Sequence, residues 1–448
     1  MQRERSTLHD AERRGAHGAG GGGPAGERWL VLSHAANLNG TACSHHIDDR
    51  LPHLAAAGVE VHMITSTEGP RPPGWGGRWR RVPSPTASGL QYEVGQLTRR
   101  MPRPWGRLAK LLLALPVAPL YQVEKHALRL ERSFGWWLSA AAMGLWETRR
   151  ARYDLVYSTG GPPSAHLAAL VIAAARRLPW LAELQDPLVF QGIGKGPLSD
   201  WATPRLERLV HEHAAGVVYV TRRARDAAVA RTQGRAPSTV IYPGAEPLEP
   251  GPPNSEPEMR IAHVGTLDRR RSPRTLLRAL ARLAERHPQA RREVRLLLIG
   301  HTGGAVTRLA RAFPYPQMVS SPGKLGRAQA RAALSASDLL VLIQHDLSVS
   351  RETIPSKTYE YLAAGRPVVA LGYQNPELRE MLEAAGHVYV EVDDLEGVAR
   401  AIEESYQRWR TGALRAPPPS PYTVAAAVAQ LLDWSRAVRQ GGLLDHGN

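Results

Sequence analysis

The segment Ser350–Leu371 constrains the fold of this chain more than any other part of its sequence. It begins as a polar loop, becomes a short helical pattern at Pro355, and stops at Gly365 and Pro367 before the apolar run Val368–Leu371. Proline suits the first helical position, and glycine suits the left-handed position just after a helix. A short apolar run of this kind is typical of a parallel strand covered on both faces. The segment therefore predicts a loop–helix–strand unit of an α/β domain.

Three charged side chains lie along this segment. Glu352 is in the predicted loop, Lys357 is in the first helical turn, and Glu360 follows in the second turn, with seven residues between the two glutamates. Free backbone N–H groups and the helix dipole favour an anion at a helix amino terminus. One interpretation is a nucleotide-sugar site, with the carboxylates holding sugar hydroxyls. The other is a surface ion pair between Lys357 and Glu360, with Glu352 as a solvated loop charge.

The same segment resembles the donor-site motif of retaining glycosyltransferases with the GT-B fold. It is most similar to family 4, also called glycosyl transferases group 1, whose signature is two glutamates separated by seven residues. The continuation Tyr361–Ala370 also resembles that family. The resemblance implies two Rossmann-like doubly wound α/β domains that face a cleft. It implies that Glu360 binds the donor ribose beside Ser356 and Lys357, and that Glu352 is a catalytic residue next to the transferred sugar.

The length of 448 residues predicts two domains of about 200 residues each. The glycine-rich amino terminus contains nothing that can form a core, so we expect it to be disordered. In chain order we expect a disordered tail, an acceptor domain, a linker, a nucleotide-sugar donor domain and a helix that crosses back onto the first domain, over residues 1–26, 27–242, 243–258, 259–416 and 417–448.

The cysteine content and the lengths of the apolar runs indicate the cellular compartment of the protein. Cys43 is the only cysteine, which excludes a disulfide framework and a cysteine-based zinc site and fits a reducing cytosol. No apolar run reaches the roughly 18 residues that a membrane span needs, and the amino terminus lacks the apolar core of a secretory signal. We therefore expect a cytoplasmic protein.

The formal net charge is +16, from 57 Lys and Arg against 41 Asp and Glu. Such a balance suits phosphate-bearing substrates, an anionic membrane surface or nucleic acid, or it reflects arginines spread over solvated faces. The sequence carries no zinc finger, ribonucleoprotein motif or basic zipper. We therefore expect no nucleic-acid partner.

The first predicted strand, Arg28–Ser33, is followed by a polar loop that contains Asn39 and Gly40. A helical pattern over Ser44–Ala57 and a strand over Val59–Thr65 come next. This order opens a doubly wound domain, whose ligands bind at the carboxyl ends of its strands. In GT-B enzymes the loop commonly carries paired glycines that approach the donor phosphates. Gly40 and Asn39 therefore either line the cleft, or Gly40 only permits a tight turn.

A further strand, Tyr153–Ser158, ends at Thr159 and Gly160 before a helix. Glycine at such a turn suits a substrate loop, so we expect Thr159 and Gly160 in the acceptor cleft. Many relatives carry a histidine at this strand end that contacts the transferred sugar, whereas this chain has Ser158 and Thr159. His166, in the following helix, either takes over that catalytic contact or is a packed residue.

The strand Leu178–Gln185 ends at Asp186. Relatives in the family often have an acidic residue here that faces the acceptor. Asp186 therefore either orients an acceptor hydroxyl or caps the turn that follows.

The second domain opens with a strand that ends at Gly265, followed by Thr266 and the triplet Arg269–Arg271. In the family, a Val-Gly strand end precedes two basic residues that reach the donor diphosphate. Thr266 occupies the position of the first, and Arg271 matches the second. A cation is required there because the leaving diphosphate gains negative charge in the transition state, and arginine fits phosphate oxygens bidentately. We expect Gly265, Thr266 and Arg271 at the donor, with Arg271 also catalytic.

Residues 97–152 interleave basic side chains such as Arg103 and Arg107 with the tryptophans Trp105, Trp136 and Trp146. Tryptophan flanked by arginine and lysine is favoured at a membrane interface. The alternative is that these helices pack on the sheet and the tryptophans belong to its core. A peripheral contact with an anionic membrane would suit a lipid-linked acceptor, which is one option beside a glycan or a metabolite.

The resemblance implies a hexosyltransferase of polysaccharide biosynthesis that uses a nucleotide sugar as its donor substrate and needs neither a metal nor another cofactor. Two other classes remain open. A GT-B-like sugar-nucleotide epimerase would share the fold but need no acceptor. A non-catalytic nucleotide-sugar-binding protein would explain the missing histidine and the single glycine of the first loop.

Overall fold

Two parallel β-sheets form the framework of the protein. The computed structural model describes residues 26–38, 42–72, 75–99, 101–189, 196–248 and 257–440, so Asn39 and Gly40 lie outside the described residues. The first sheet has seven strands in the order β3-β2-β1-β4-β5-β6-β7, and the second has six in the order β10-β9-β8-β11-β12-β13. In chain order the strands are β1 Arg28–Leu32, β2 Glu60–Ser66, β3 Trp79–Val82, β4 Leu155–Gly160, β5 Trp180–Leu184, β6 Gly216–Tyr219, β7 Ser238–Val240, β8 Met259–Val264, β9 Val294–Ile299, β10 Val319–Gly323, β11 Leu339–Ile343, β12 Val368–Gly372 and β13 Val388–Glu391.

Helices connect most of these strands, as is usual for parallel pairing, although β2 leads to β3 without an intervening helix in the described residues. In the first domain they are α1 Ala42–Ala56, α2 Ala87–Thr98, α3 Arg103–Ala114, α4 Ala118–Gln122, α5 Trp136–Arg150, α6 Ser164–Arg176, α7 Pro197–His213 and α8 Arg222–Thr232. In the second they are α9 Arg274–Arg286, α10 Ala290–Glu293, α11 Gly304–Arg311, α12 Arg327–Ser335, α13 Lys357–Ala363, α14 Pro376–Ala384 and α15 Leu395–Arg410, followed by α16 Val424–Arg439. Single-turn helices cover Val123–Ala127, Pro316–Met318 and Ser348–Arg351.

Each sheet is covered on both faces. In the first domain one apolar core lies under α5, α6, α7 and α8, and the other lies under α1 and α16. In the second domain one core lies under α9, α11 and α15, and the other under α12, α13 and α14. This is the doubly wound arrangement, which brings ligands to the carboxyl ends of the strands. The predicted fold class, two Rossmann-like α/β domains, is confirmed.

The last helix, α16, packs on the first domain although it follows the second in sequence. Val428 and Leu431 lie in one apolar cluster with Trp29 of β1 and with Ile47 and Leu51 of α1. The same helix begins beside the linker, where Ala245 N donates to Tyr422 O over 3.1 Å. The chain therefore crosses between the domains twice, once at the linker and once before α16.

Strand β3 forms at the edge of the first sheet, within a stretch of residues 69–85 that is rich in Pro, Gly and Arg. Met63 pairs with Trp79 and Ser66 with Val82. The strand carries Arg80 and Arg81, and Arg80 Nε donates to Glu147 of the covering helix α5 over 2.6 Å. Charged side chains are common on edge strands because they discourage pairing with another chain. They also interrupt the alternation of apolar residues by which a strand is predicted from sequence.

None of the helices within the described residues is both long and apolar enough to span a bilayer.

Replacing Leu431 by alanine tests the packing of α16. Leu431 has no exposed surface, so we expect the free energy of unfolding to fall by about 2–5 kcal/mol, the usual cost of a large-to-small core substitution. Urea denaturation followed by circular dichroism measures the change. Gln430→Ala, on the exposed side of the same helix, is the control; an equal effect of both substitutions would contradict this packing.

Candidate functional site

A cavity of about 420 Å³ lies between the two domains. On one side it is lined by α1 and by the linker residues 243–245. On the other it is lined by the ends of β8 and β9, by α12 and by the start of α13. The cavity therefore lies at the carboxyl ends of the second sheet, where a doubly wound domain binds its ligand.

Two glycines shape the floor of the cavity. Gly265 follows β8 with φ +152°, and Gly300 follows β9 with φ +128°. A Cβ on Gly265 would lie 1.4 Å from Lys357 Nζ, and a Cβ on Gly300 would lie 2.2 Å from Gly265 O. Because no side chain fits at either position, the backbone and the Lys357 ammonium come into direct contact there.

Lys357 is a cation with little access to water. Burial and the neighbouring Arg271 guanidinium lower the pKa of Lys357 to about 8. Burial also lowers the pKa of Arg271, and Arg271 Nη1 lies 3.5 Å from the carbonyl oxygen of Thr266. Arg271 is turned inward, whereas Arg269 and Arg270 are exposed. Two partly desolvated cations side by side favour the binding of an anion, because its charge offsets both their mutual repulsion and the cost of removing them from water.

Histidines next to these cations are held neutral. His263 is fully buried with Nδ1 2.9 Å from Val341 O, and burial together with the Lys357 charge lowers the pKa of His263 to about 3. Burial and Arg271 also lower the pKa of His345. Positive charge at this end of the cavity therefore comes from Lys357 and Arg271.

Glu360 lines the cavity one turn after Lys357. Burial raises the pKa of Glu360, while Arg327 acts in the opposite direction. Arg327 lies 3.9 Å from Glu360 and forms a two-pronged ion pair with Asp49 of the first domain, at 2.8 and 2.5 Å. Arg327 thus connects the carboxylate of Glu360 to the opposite wall of the cleft.

Glu352 does not line the cavity; it ends the single turn Ser348–Arg351 at the domain junction. Both Gln344 and Asn375 donate from their side-chain amides to Ser350 O and Thr353 O, over 2.7–3.0 Å. Thr221 of the first domain donates to Glu352 O over 2.6 Å. These contacts fix the backbone on both sides of Glu352. They therefore also fix the position of its Cα, from which the partly exposed side chain extends.

Under the first-domain wall lies a buried charged cluster. The Arg50 guanidinium contacts both oxygens of Glu183 at 2.5 Å, and Tyr157 also donates to Glu183. Thr159 Oγ1 donates to the same carboxylate over 2.8 Å and accepts from Gln185 over 2.9 Å. Thr159 is fully buried, so the structure places this predicted acceptor residue in a structural network and not on the cleft surface.

The predicted catalytic contact of His166 is not supported by its position. His166 has no exposed surface, and its Nδ1 lies 2.9 Å from Ser158 Oγ. Burial lowers the pKa of His166 to about 4, so the ring is neutral and packed. Gly160 is also buried and has φ +134°, which fits a turn. Asp186 is exposed at the end of β5, close to Gly161.

The structure brings together most of the predicted donor residues: Gly265, Thr266, Ser356, Lys357 and Glu360 all line the cavity. Sequence reasoning missed several polar residues of its walls, namely His45, His46, Asp49, Lys324, Arg327 and Arg331. The spacing of His45 and Asp49 places both on one face of α1, which is a signal that could have indicated them. No comparable signal marks Arg327, since its partner is distant in sequence.

Within the described ranges, no cluster of histidine, cysteine and acidic side chains is arranged to hold a metal ion.

Two family models match the chain, one in each domain. Residues 44–245 match the glycosyl transferase 4-like domain. Residues 258–408 match glycosyl transferases group 1. Together the two matches extend over most of the chain and divide it as the two sheets do. The chain belongs to the GT-B glycosyltransferases. A comparison with curated protein sequences finds no match.

Solved structures of this fold class are similar over nearly the whole length of the glycosyltransferase. Anabaena Alr3699/HepE in complex with UDP has a TM-score of 0.56 at 15% identity, covering 93% of this chain and 98% of that one. Sucrose-phosphate synthase from Thermosynechococcus elongatus has a TM-score of 0.57 at 18% identity, with the same coverage. A putative UDP-N-acetylglucosamine 2-epimerase from Listeria monocytogenes has a TM-score of 0.55 at 11% identity, again over 93% and 98%. At these identities the similarity concerns the fold alone.

Replacing Glu183 by alanine tests the buried cluster. The substitution leaves the Arg50 cation buried without a counter-charge, so we expect the free energy of unfolding to fall by about 3–5 kcal/mol. The double substitution Arg50→Met with Glu183→Leu removes both charges and should cost clearly less. Urea denaturation of the three proteins measures this difference, and an equal or larger loss in the double variant would contradict the arrangement.

Proposed function

We propose that this glycosyltransferase moves a hexose from a nucleoside-diphosphate sugar to an acceptor with retention of the anomeric configuration. The observation that carries the proposal is the pair of desolvated cations, Lys357 and Arg271, beside the glycine-lined floor of the interdomain cavity and one helical turn from Glu360. The two cations can bind the negative charges of a diphosphate, and the carboxylate of Glu360 can accept hydrogen bonds from the hydroxyl groups of a ribose. The UDP named for the HepE complex makes a uridine diphosphate sugar the first donor to try.

In this proposal the diphosphate lies against Gly265 and Lys357, with Arg271 beside it. Cleavage of the anomeric C–O bond leaves an additional negative charge on the β-phosphate, and two cations already in place stabilise it without reorganisation. We propose that this replaces the metal ion used by other transferases, so that activity persists in chelator. The two cations repel each other, and the negative charge that develops on the phosphate offsets this repulsion in the transition state.

Glu352 has the role of the residue beside the transferred sugar. The acceptor oxygen attacks the anomeric carbon on the face from which the diphosphate leaves, and the acceptor proton passes to the departing phosphate oxygen. One C–O bond forms, one breaks, and the sugar keeps its configuration. The clamped backbone around Glu352 holds the carboxylate in position while it polarises or orients the sugar.

The acceptor binds on the first-domain side, where Asp186 offers an exposed carboxylate at the end of β5. We propose that the acceptor is a glycan or a lipid-linked intermediate of polysaccharide synthesis, and that the enzyme acts in the cytoplasm at a membrane surface. An epimerase is the second candidate, since one similar structure is a putative sugar-nucleotide epimerase. Incubation with donor alone separates the two, because only an epimerase converts the donor sugar without an acceptor.

The pH dependence of diphosphate binding tests the role of Lys357. Its pKa of about 8 means that the ammonium is charged at pH 7 and mostly neutral at pH 9, while the phosphate, with its second pKa of about 6, is ionised at both. We expect UDP to bind about tenfold more weakly at pH 9 than at pH 7, measured by isothermal titration calorimetry.

Lys357→Met is the matched variant for this experiment. It should bind UDP weakly at both pH values and lose most of the difference between them. A pH dependence equal to that of the wild type would show that another group titrates, and would contradict the assignment of Lys357.

Replacing Glu352 by glutamine separates catalysis from donor binding. We expect the dissociation constant for UDP to stay unchanged, because Glu352 does not line the cavity, and kcat for sugar transfer to fall by about 10²-fold or more. Glu404→Gln, an exposed glutamate of α15, is the control and should transfer sugar at the wild-type rate. Wild-type turnover by Glu352→Gln would remove Glu352 from the mechanism.

A further inference from the structure

Helix α3 presents an apolar face to solvent. Trp105, Leu108, Leu112 and Leu115 recur at intervals of three and four residues, which places them on one side of the helix. They are among the most exposed large apolar side chains of the protein, with 64% of Trp105, 59% of Leu112 and 63% of Leu115 accessible. Several large apolar side chains exposed side by side are typical of an interaction site. We call these four residues together with Leu111 the apolar face of α3.

The opposite side of α3 is basic. Arg103, Arg107 and Lys110 recur at the same helical spacing, and all three are exposed. The chain from residue 94 to 123 contains five Arg and Lys and no Asp or Glu. An apolar side bearing tryptophan and leucine and a polar side bearing arginine and lysine is the pattern of helices that lie in a membrane interface.

The helix is held to the protein on a side away from its apolar face. Gly106 is its one buried residue within the described structure, and a Cβ there would lie 2.6 Å from Thr98 O at the end of α2. At 3.6 residues per turn, Gly106 points roughly opposite to Leu108, Leu112 and Leu115. The apolar face therefore faces away from the body of the first domain.

The helical segment that contains α3 starts and ends at the carboxyl end of β3. Ser84, just after β3, donates to Arg132 O over 2.9 Å, and Glu124 accepts from the backbone N–H groups of Ala87 and Ser88 over 2.7 and 2.9 Å. The carboxyl ends of the parallel strands are also the end of the sheet that faces the cleft. Both ends of the segment that carries α3 therefore lie at the cleft end of the first sheet.

We propose that α3 docks the enzyme on a membrane containing anionic phospholipids, with the apolar face among the acyl chains and the basic side chains at the headgroups. A second copy of the chain fits this surface less well. A two-fold interface would bring the same patch against itself, and residues 94–123 contain no acidic side chain to meet the five basic ones. An anionic lipid surface supplies the missing negative charge.

Vesicle flotation of the full-length protein tests the proposal. We expect binding to vesicles of phosphatidylglycerol and phosphatidylcholine, little binding to phosphatidylcholine alone, and release as the ionic strength rises. Each basic residue near an anionic leaflet contributes about 1 kcal/mol, or about fivefold in affinity. The triple variant Arg103→Gln, Arg107→Gln, Lys110→Gln should therefore bind about 100-fold more weakly.

Matched controls keep the test specific. Arg400→Gln, Arg408→Gln and Arg415→Gln remove three exposed charges from the second domain and should leave vesicle binding unchanged. Trp105→Gln with Leu112→Gln should abolish most binding. Trp201→Gln with Leu138→Gln, which changes exposed apolar residues elsewhere on the first domain, should not. Because all of these side chains are exposed, the variants should melt at the wild-type temperature.

Several results would overturn the proposal. One is that the wild-type protein does not bind anionic vesicles at low salt. Another is that the triple variant binds as tightly as the wild type, and a third is that binding is the same with and without anionic lipid. So would a dimer that dissociates in Trp105→Gln with Leu112→Gln while vesicle binding persists, since the apolar face would then serve self-association. Flotation needs neither donor nor acceptor, so a protein that docks but transfers no sugar would count against the proposed function and not against docking.

Discussion

The site depends on the close contact between the ammonium group of Lys357 and the backbone of Gly265. Burial and the neighbouring Arg271 lower the pKa of Lys357 to about 8, so its ammonium is charged at pH 7 but is less stable there than in water until an anion binds. A side chain at Gly265 or Gly300 would clash with Lys357 or with the backbone, and burial together with the two cations lowers the pKa of the neighbouring His263 and His345. The protein thus keeps two like charges in a poorly solvated pocket, and a diphosphate is the type of ligand that relieves this cost. A surface ion pair between Lys357 and Glu360, the plainer interpretation of the sequence, does not agree with this burial.

The second constraint is that the site belongs to neither domain alone. Arg327 of the second domain binds Asp49 of the first, and Thr221 of the first domain binds the backbone at Glu352. Glu377 of α14 accepts from the backbone N–H of Arg222 at the start of α8, over 2.7 Å. These contacts connect the cleft walls through polar groups that water can replace. A change in the angle between the domains would therefore alter the distance between the donor pocket and the acceptor side without breaking either core.

Much of the second domain could be predicted because its signals are local. Gly365 has φ +63°, and β12 follows it as predicted. The helix itself begins at Lys357, with Ser356 as its cap, and not at Pro355, because a proline is also compatible with the turn before a helix. Asp394 caps α15 by accepting from Gly397 N over 2.9 Å, the local contact that aspartate favours at a helix start.

Local sequence patterns do not decide the position of residues whose environment depends on long-range packing. Whether His166 and Thr159 face the cleft or the core depends on Ser158, Glu183 and the neighbouring strands, and no local pattern records this. The ion pair between Asp49 and Arg327 joins residues 278 positions apart, so it could not be seen in one sequence. The exposure of Trp105 and the burial of Trp136 likewise follow from which helix packs on the sheet.

The crystal structure of the enzyme with UDP bound is the most direct measurement of the central claim. The account predicts the diphosphate within hydrogen-bond distance of Lys357 Nζ and Arg271, over the backbone of Gly265, and the ribose hydroxyls on the carboxylate of Glu360. Nucleotide bound outside the interdomain cavity, or a diphosphate with no contact to Lys357, would contradict it.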